Sequence, residues 1–328
     1  MTEQYYPPLS YTVASEDEGM KVGTVLERRL GISRKLMSRL KLTEQGIQLN
    51  GERVYTSIKV KPGDVISCAM EQETSDDILP QAMPLDILYE DEHLLLINKR
   101  AGMIVHPTHG HYTGTLANGV VHHWLERGER VRFRPVHRLD QDTSGVVAIA
   151  KNPYVHQQLS EQMQRGEVEK QYCAFVVKAP QPDQGTVDAP IDRDPEQPHV
   201  RIVMDTGYPS VTHYETVCTY NSGAARISLR LETGRTHQIR VHMQHIGCSL
   251  IGDPMYGDAS AEASVGVHPA GQEVGRQALH AERLAFRHPW TGEPMTFVAP
   301  LPEDLQQLEQ ALLAGNIAIA ERRGRLEK

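Results

Sequence analysis

A chain of 328 residues with 39% hydrophobic and 23% charged side chains has an ordinary globular balance, which excludes a fibrous or disordered protein and leaves room for about two domains. Its net charge is −8, yet residues 21–61 hold ten Lys/Arg against three Asp/Glu, so a basic block stands on a remainder carrying −15; such a block is an electrostatic footprint for phosphate. Cys68, Cys173, Cys218 and Cys248 lie far apart without CxxC spacing, which argues against a disulfide framework or a thiolate zinc site and fits a reduced, cytoplasmic compartment. The start, MTEQYYPPLS, lacks the basic head and apolar stretch of a signal peptide, and no apolar run nears the ~20 residues that span a bilayer, so no membrane role is expected.

Residues 1–11, with Tyr5, Tyr6, Pro7 and Pro8, suggest a loose leader. Residues 12–72 form a small α+β domain. Val22, Val25, Leu26 and Leu30 share one face of a helix over 20–30, which Gly31 ends. Ser33 then caps a second helix carrying Arg34, Lys35, Leu36, Met37, Arg39 and Leu40. Ile47 and Leu49 alternate into Asn50-Gly51, a hairpin signal, and Lys61-Pro62-Gly63-Asp64 turns into a strand over 65–68. An acidic linker follows over 73–83. A larger domain over 84–300 shows strands at 85–89 and 94–98, a helix at 153–165, and strands at 172–177, 211–219, 225–231 and 277–286. Strands outnumber helices without alternating with them, which predicts α+β with a mainly antiparallel mixed sheet and not a doubly wound fold. Residues 301–328 read as a terminal helix with Leu305, Leu308, Leu312 and Leu313 on its apolar positions.

Two local patterns carry chemistry. The first is Pro135-Val136-His137-Arg138-Leu139-Asp140-Gln141-Asp142-Thr143-Ser144-Gly145, followed by the apolar strand 146–150. In an extended chain Arg138 and Asp140 point one way while His137 and Leu139 point the other, so a guanidinium and a carboxylate meet just before a buried strand. The second runs from Leu231 to His242 and contains Gly234-Arg235-Thr236-His237-Gln238-Ile239-Arg240. It leaves a strand and enters a helix, with Gly234 allowing the tight backbone and Thr236 capping the start.

These patterns resemble two families. SRKLMSRLK, the GIQLNGERV hairpin and KPGDVI are similar to the S4-type RNA-binding module, whose paired helices would present Arg34, Lys35, Arg39, Lys41 and Arg53 to folded RNA. HRLDQDTSG, EKQYCAFVV, LETGRTHQIRVH, IGDPMYG and LHAERLAFRHP, with the entry strands LDILYEDEHLLLINKRAGMIVHP, resemble the RluA/RluD-type pseudouridine synthases over residues 84–300. That resemblance implies a pseudouridine synthase fold with Asp140 as catalytic nucleophile, Tyr172 stacking on the base and Arg240 pairing with Asp140. It also implies that Arg138 fills the space left by the extruded nucleotide and that Ile239 packs beneath the uracil. His137, Arg235 and His237 belong to the substrate-binding set. Arg100 departs from the family, which has proline there.

The implied reaction breaks the N1–C1′ bond of a uridine, turns the base and joins C5 to C1′, so no cofactor and no metal are expected. Asp140 acts either on C1′ or on the 2′ proton, and the residues do not choose between the two. An acid working in a poorly solvated pocket needs a cation beside it, the part given to Arg240. Tyr172 holds the base and can also take the C5 proton. The uridine must leave its stack, which costs a few kcal/mol. Large-subunit (23S) ribosomal RNA is the expected substrate with transfer RNA as the alternative, and the chain is expected to act as a monomer. Removing residues 1–75 is expected to weaken RNA binding and its salt dependence. Two other classes compete. A metal hydrolase could draw on the sixteen histidines, but His237 and His242 are five apart and no HExxH occurs. A non-catalytic RNA binder would have no need of Asp140, Tyr172 and Arg240 together.

Overall fold

The computed structural model describes residues 5–264 and 274–326, the last twelve of these as backbone. The first four residues of the expected leader and the last two of the terminal helix lie outside the described residues.

The N-terminal unit contains β1 (Leu9–Thr12), α1 (Val22–Arg29), α2 (Arg34–Leu40), β2 (Gln48–Leu49), β3 (Glu52–Arg53) and β4 (Val65–Cys68), with the four strands in the order β1-β4-β2-β3. Ser33 Oγ accepts from the amide of Leu36 and caps α2 as its spacing predicts. Asn50 and Gly51 both take positive φ and close the β2–β3 hairpin. The expected leader is corrected here: Leu9–Thr12 pairs antiparallel with β4, and Tyr6 is buried. Alternating Leu9 and Tyr11 gave too short a pattern to separate from a loop.

The larger unit follows with β5 (Ile87–Glu90), β6 (Leu94–Lys99), α3 (Leu116–Glu126), β7 (Arg134–Pro135), β8 (Ser144–Ala150), α4 (Pro153–Gln164) and β9 (Glu169–Val176). Then come β10 (Gln184–Asp188), β11 (Ile191–Arg193), β12 (Arg201–Val203), β13 (Val211–Thr219), β14 (Ala225–Leu231), α5 (Gln238–His245) and α6 (Ala259–Ser264). β15 (Leu279–Arg287), β16 (Pro294–Val298) and α7 (Glu303–Leu326) complete it. Ten strands form one sheet in the order β10-β13-β14-β9-β15-β8-β6-β5, with β16 on β15 and β7 on β8. The pairings are antiparallel except β8 with β15, where His280 faces Ser144 and Ala281 faces Gly145. Gly145 has φ +118, and a Cβ there would fall 2.1 Å from the Ala281 carbonyl oxygen, so only glycine lets the two strands meet. The fold is α+β with a mainly antiparallel mixed sheet.

Both faces of the sheet are covered, which is why residues 94–97 of β6 and 146–150 of β8 are unbroken apolar runs. Leu95, Ile97, Val147 and Ile149 enter a core with Leu116, Val120 and Trp124 of α3. Leu94, Leu96, Val146 and Ala148 share the opposite core with Val22, Val25 and Leu26 of the N-terminal unit and Val155 and Leu159 of α4. The side chains of Gln157 and Gln158 on α4 also donate to the carbonyl of Gly31. Cutting at residue 75 would therefore uncover core, so point substitutions are the cleaner probe of the basic unit. Leu305, Leu308 and Leu312 of α7 pack on Phe175 of β9.

In α3 the helical spacing of Leu116, Val120 and Trp124 is interrupted in the sequence by Asn118-Gly119, a pair that favours turns. In the fold Asn118 instead completes a capping box with Thr115 at the helix start.

Candidate active site

The expected extended chain at 137–143 is a loop, and it ends at the parallel seam of the sheet where β8 begins. It turns through a bond from the Thr143 amide to the Asp140 carbonyl, 3.1 Å. Arg138 is exposed and Leu139 buried, while Asp140 keeps a quarter of its side chain accessible.

Opposite this loop, β14 delivers the second motif and α5 brings Arg240 to the floor of a cleft of about 1010 Å³. Asp140, Arg138, His137, Tyr172, Arg235, His237 and Arg240 all line it. Ile239 lies beside Asp140 and Tyr172 in an adjoining recess and is buried. Two local expectations are corrected. Thr236 does not cap α5; His237 occupies the cap position with φ +58, and its side chain makes no capping bond. The tight backbone falls on that left-handed His237 rather than on Gly234, because Gln238 folds back to accept from the Arg235 amide and the Thr233 hydroxyl.

Arg240 is divided between two carboxylates. Its Nε and Nη2 donate to Asp253 at 2.7 and 2.8 Å, and its Nη1 reaches Asp140 Oδ2 at 3.4 Å. The fork on Asp253 fixes the guanidinium plane and leaves one edge aimed at Asp140. Asp253 has no exposed side-chain surface and also accepts from the amides of Met255 and Tyr256. The Tyr256 ring stacks 4.9 Å from the guanidinium carbon, and its hydroxyl accepts from the Arg201 amide. That leaves the hydroxyl proton for Nδ1 of His237, 2.9 Å away. Burial holds the His237 imidazole below its ordinary range.

Tyr172 is buried on β9, and burial, reinforced by the Asp140 charge, pushes its phenol well above the usual tyrosine value. It is a neutral ring at ordinary pH. Burial pushes His137 down to about 4, helped by the charge of Lys170, and its Nε2 accepts from the Ala148 amide at 3.2 Å. Arg235 is exposed, lies over the Tyr208 ring at 5.5 Å and donates to the Pro209 carbonyl.

Three residues that the sequence did not single out hold this arrangement. Asp253 sits in IGDPMYG with nothing local to connect it to Arg240. Lys99 is buried at the end of β6, and its Nζ donates to the carbonyls of Arg100, Met103 and Gln141 at 3.0, 2.8 and 2.9 Å. Burial pushes that ammonium down to about 7. Arg100 takes part through its carbonyl alone, which proline would equally offer. Arg276 binds Asp304 at the start of α7 and donates to the Asp142 carbonyl at 2.9 Å, tying the terminal helix to the Asp140 loop.

In the N-terminal unit Arg34, Lys35 and Lys41 are exposed. Arg39 is instead engaged by Glu73, which also pairs with Arg134, and Arg53 donates to the Lys41 carbonyl at 2.9 Å. Among the described residues no helix is long and apolar enough to cross a membrane, and no three His, Cys, Asp or Glu are grouped to hold a metal ion.

Residues 93–245 match the RNA pseudouridylate synthase family. With the relatives below, this shows that the chain belongs to the RNA pseudouridine synthases of the RluA/RluD type, enzymes that isomerise uridine in RNA. It is 42% identical to the uncharacterized RNA pseudouridine synthase YjbO of Bacillus subtilis, over 85% of this chain and 95% of that one. It is also 42% identical to ribosomal large subunit pseudouridine synthase D of Xanthomonas campestris pv. campestris, over 83% of each chain. The solved structure of human RNA pseudouridylate synthase domain containing 4 superposes with a TM-score of 0.57 at 24% identity, covering 69% of this chain and 92% of that one, and it supports the fold.

Proposed function

We propose that this enzyme converts specific uridines of large-subunit ribosomal RNA to pseudouridine, acting as a cytoplasmic monomer with Asp140 as its catalytic carboxylate. The observation that carries the reading is Arg240, clamped by Asp253 and presenting its free edge to Asp140 in a cleft shared with Tyr172. The names of relatives such as the Xanthomonas campestris synthase favour ribosomal RNA over transfer RNA.

In this reading the uridine swings out of its stack into the cleft, Arg138 fills the gap it leaves, and its ring lies between Tyr172 and Ile239. Asp140 then acts on C1′ or on the 2′ proton. The N1–C1′ bond breaks, the base turns, C5 bonds to C1′ and the C5 proton leaves, so product and substrate have the same atoms and oxidation state. A phenol held protonated is a poor acceptor for that proton, so the reading gives Tyr172 the stacking role alone. Arg235 and His237 border the path of the flanking nucleotides. Mapping pseudouridines at nucleotide resolution in cells with and without the protein tests the proposal. One or more large-subunit positions should lose the modification, and an unchanged ribosomal map with loss in transfer RNA would move the substrate there.

The N-terminal unit is proposed as an S4-like RNA grip. Replacing Arg34, Lys35 and Lys41 together by Gln should weaken RNA binding and reduce the slope of log K against log salt by about 2 to 3. An unaltered slope in a salt titration would make these three side chains a solvated surface and nothing more.

A further inference from the structure

The cleft contains a cation that the fold does not neutralise. Lys170 is the second residue of β9, two before Tyr172, so strand alternation sets both side chains on one face about 7 Å apart. It lines the cleft, is half-buried, and burial holds its ammonium below the ordinary lysine value. Among the described residues its ammonium has neither an ion pair nor a hydrogen bond. Two buried lysines among the described residues show what a structural role looks like: Lys99 meets three carbonyls, and Lys151 meets Glu90 and Glu129. A partly desolvated charge without a partner costs free energy in the empty protein, which makes sense where a ligand brings the counter-charge.

His137 adds a second unsatisfied group. Its Nε2 accepts from the Ala148 amide, so the ring proton of the neutral imidazole sits on Nδ1. That Nδ1 is shielded from solvent and finds no acceptor among the described residues. Lys170 is close enough for its charge to act on this ring. The cleft's own carboxylates, Asp140, Asp142 and Glu232, do not serve the pair: burial alone acts on the Lys170 ammonium, Asp140 is met by Arg240, Asp142 acts on Lys99, and Glu232 is met by His213 at 2.6 Å. Gly234 leaves the ammonium uncovered: a Cβ there would sit 3.8 Å from Lys170 Nζ, with no other atom within 4 Å.

We infer that Lys170 and the Nδ1–H of His137 form a phosphate subsite that holds the RNA backbone beside the nucleotide on Tyr172. The inference rests on the proposed function in taking the anion to be an RNA phosphate. An ammonium supplies the charge and the imidazole a directed neutral donor, a combination that suits a phosphate oxygen better than a base edge.

The test uses the full chain carrying Lys170→Met or Lys170→Arg and a short oligouridylate, with binding followed across a range of salt. Lys170→Met should lower affinity about tenfold and reduce the slope of log K against log salt by about 0.7, the increment for one single-strand phosphate, and Lys170→Arg should restore both. An unchanged slope in Lys170→Met overturns the subsite. His137→Gln should weaken binding about threefold at an unchanged slope, since a neutral donor displaces no counterion; wild-type affinity in that variant overturns the paired site. Thermal unfolding without RNA separates binding from architecture. An unpartnered lysine stabilises nothing, so Lys170→Met should melt at or above the wild-type temperature, and a fall of more than about 5 °C overturns the inference. Pseudouridine formation by the wild type on large-subunit RNA is measured alongside: its absence counts against the enzymatic reading, while the slope decides the subsite.

Discussion

Asp140→Asn should leave a folded protein that binds RNA within about threefold of wild type and forms pseudouridine at less than about one thousandth of the wild-type rate. The amide has the shape of the carboxylate, and its oxygen can still face Arg240 Nη1 across the 3.4 Å now spanned. It can neither attack C1′ nor remove a proton, so the loss falls on chemistry and leaves recognition alone. Single-turnover conversion together with filter binding on the same RNA checks both halves. Wild-type turnover would remove Asp140 from the reaction, and binding lost along with turnover would make it a recognition group instead.

Arg240→Met should have the largest combined effect, because it strikes stability and activity through different partners. Asp253 would keep its charge in a fully buried position with two amide donors in place of four. Breaking a buried pair from one side costs about 3–5 kcal/mol, measurable as a shift in denaturant midpoint. Replacing both members, Arg240→Met with Asp253→Leu, removes the stranded charge and should return a large part of that stability. Product formation should stay absent, since no guanidinium then faces Asp140. Activity in the double variant would show that Arg240 serves the fold alone. Arg240→Lys is no rescue, because one ammonium cannot grip Asp253 in a fork and reach Asp140 as well.

Legibility followed the range over which each interaction acts. Strands β13 and β14 begin and end where the residue pattern places them, because alternation along one strand reports its own burial. The hairpin at Asn50-Gly51 and the cap at Ser33 were equally local. The Asp140 and Arg240 motifs were visible as dense patterns, and resemblance paired them. What stayed hidden was set by distant partners. Asp253 is thirteen residues from Arg240 in a turn whose acid could have capped anything. Lys99 stood at the end of a strand, where a lysine is ordinarily solvated, and Arg276 needed Asp304 and the Asp142 carbonyl to acquire a purpose. Helix α3 was concealed by an Asn-Gly pair that the fold turned to capping, and the short strands β10 to β12 had too few residues to show a period.

The seam between β8 and β15 carries a consequence for how the molecule comes to life during synthesis. Ser144 and Gly145 gain their neighbours His280 and Ala281 more than 130 positions later, Arg276 reaches the Asp142 carbonyl across a similar span, and α7 follows after both. Contacts so remote along the polypeptide form late. A growing chain still attached to the ribosome thus has its acid turn without the wall that shapes it, and competence waits until β15 and α7 have emerged.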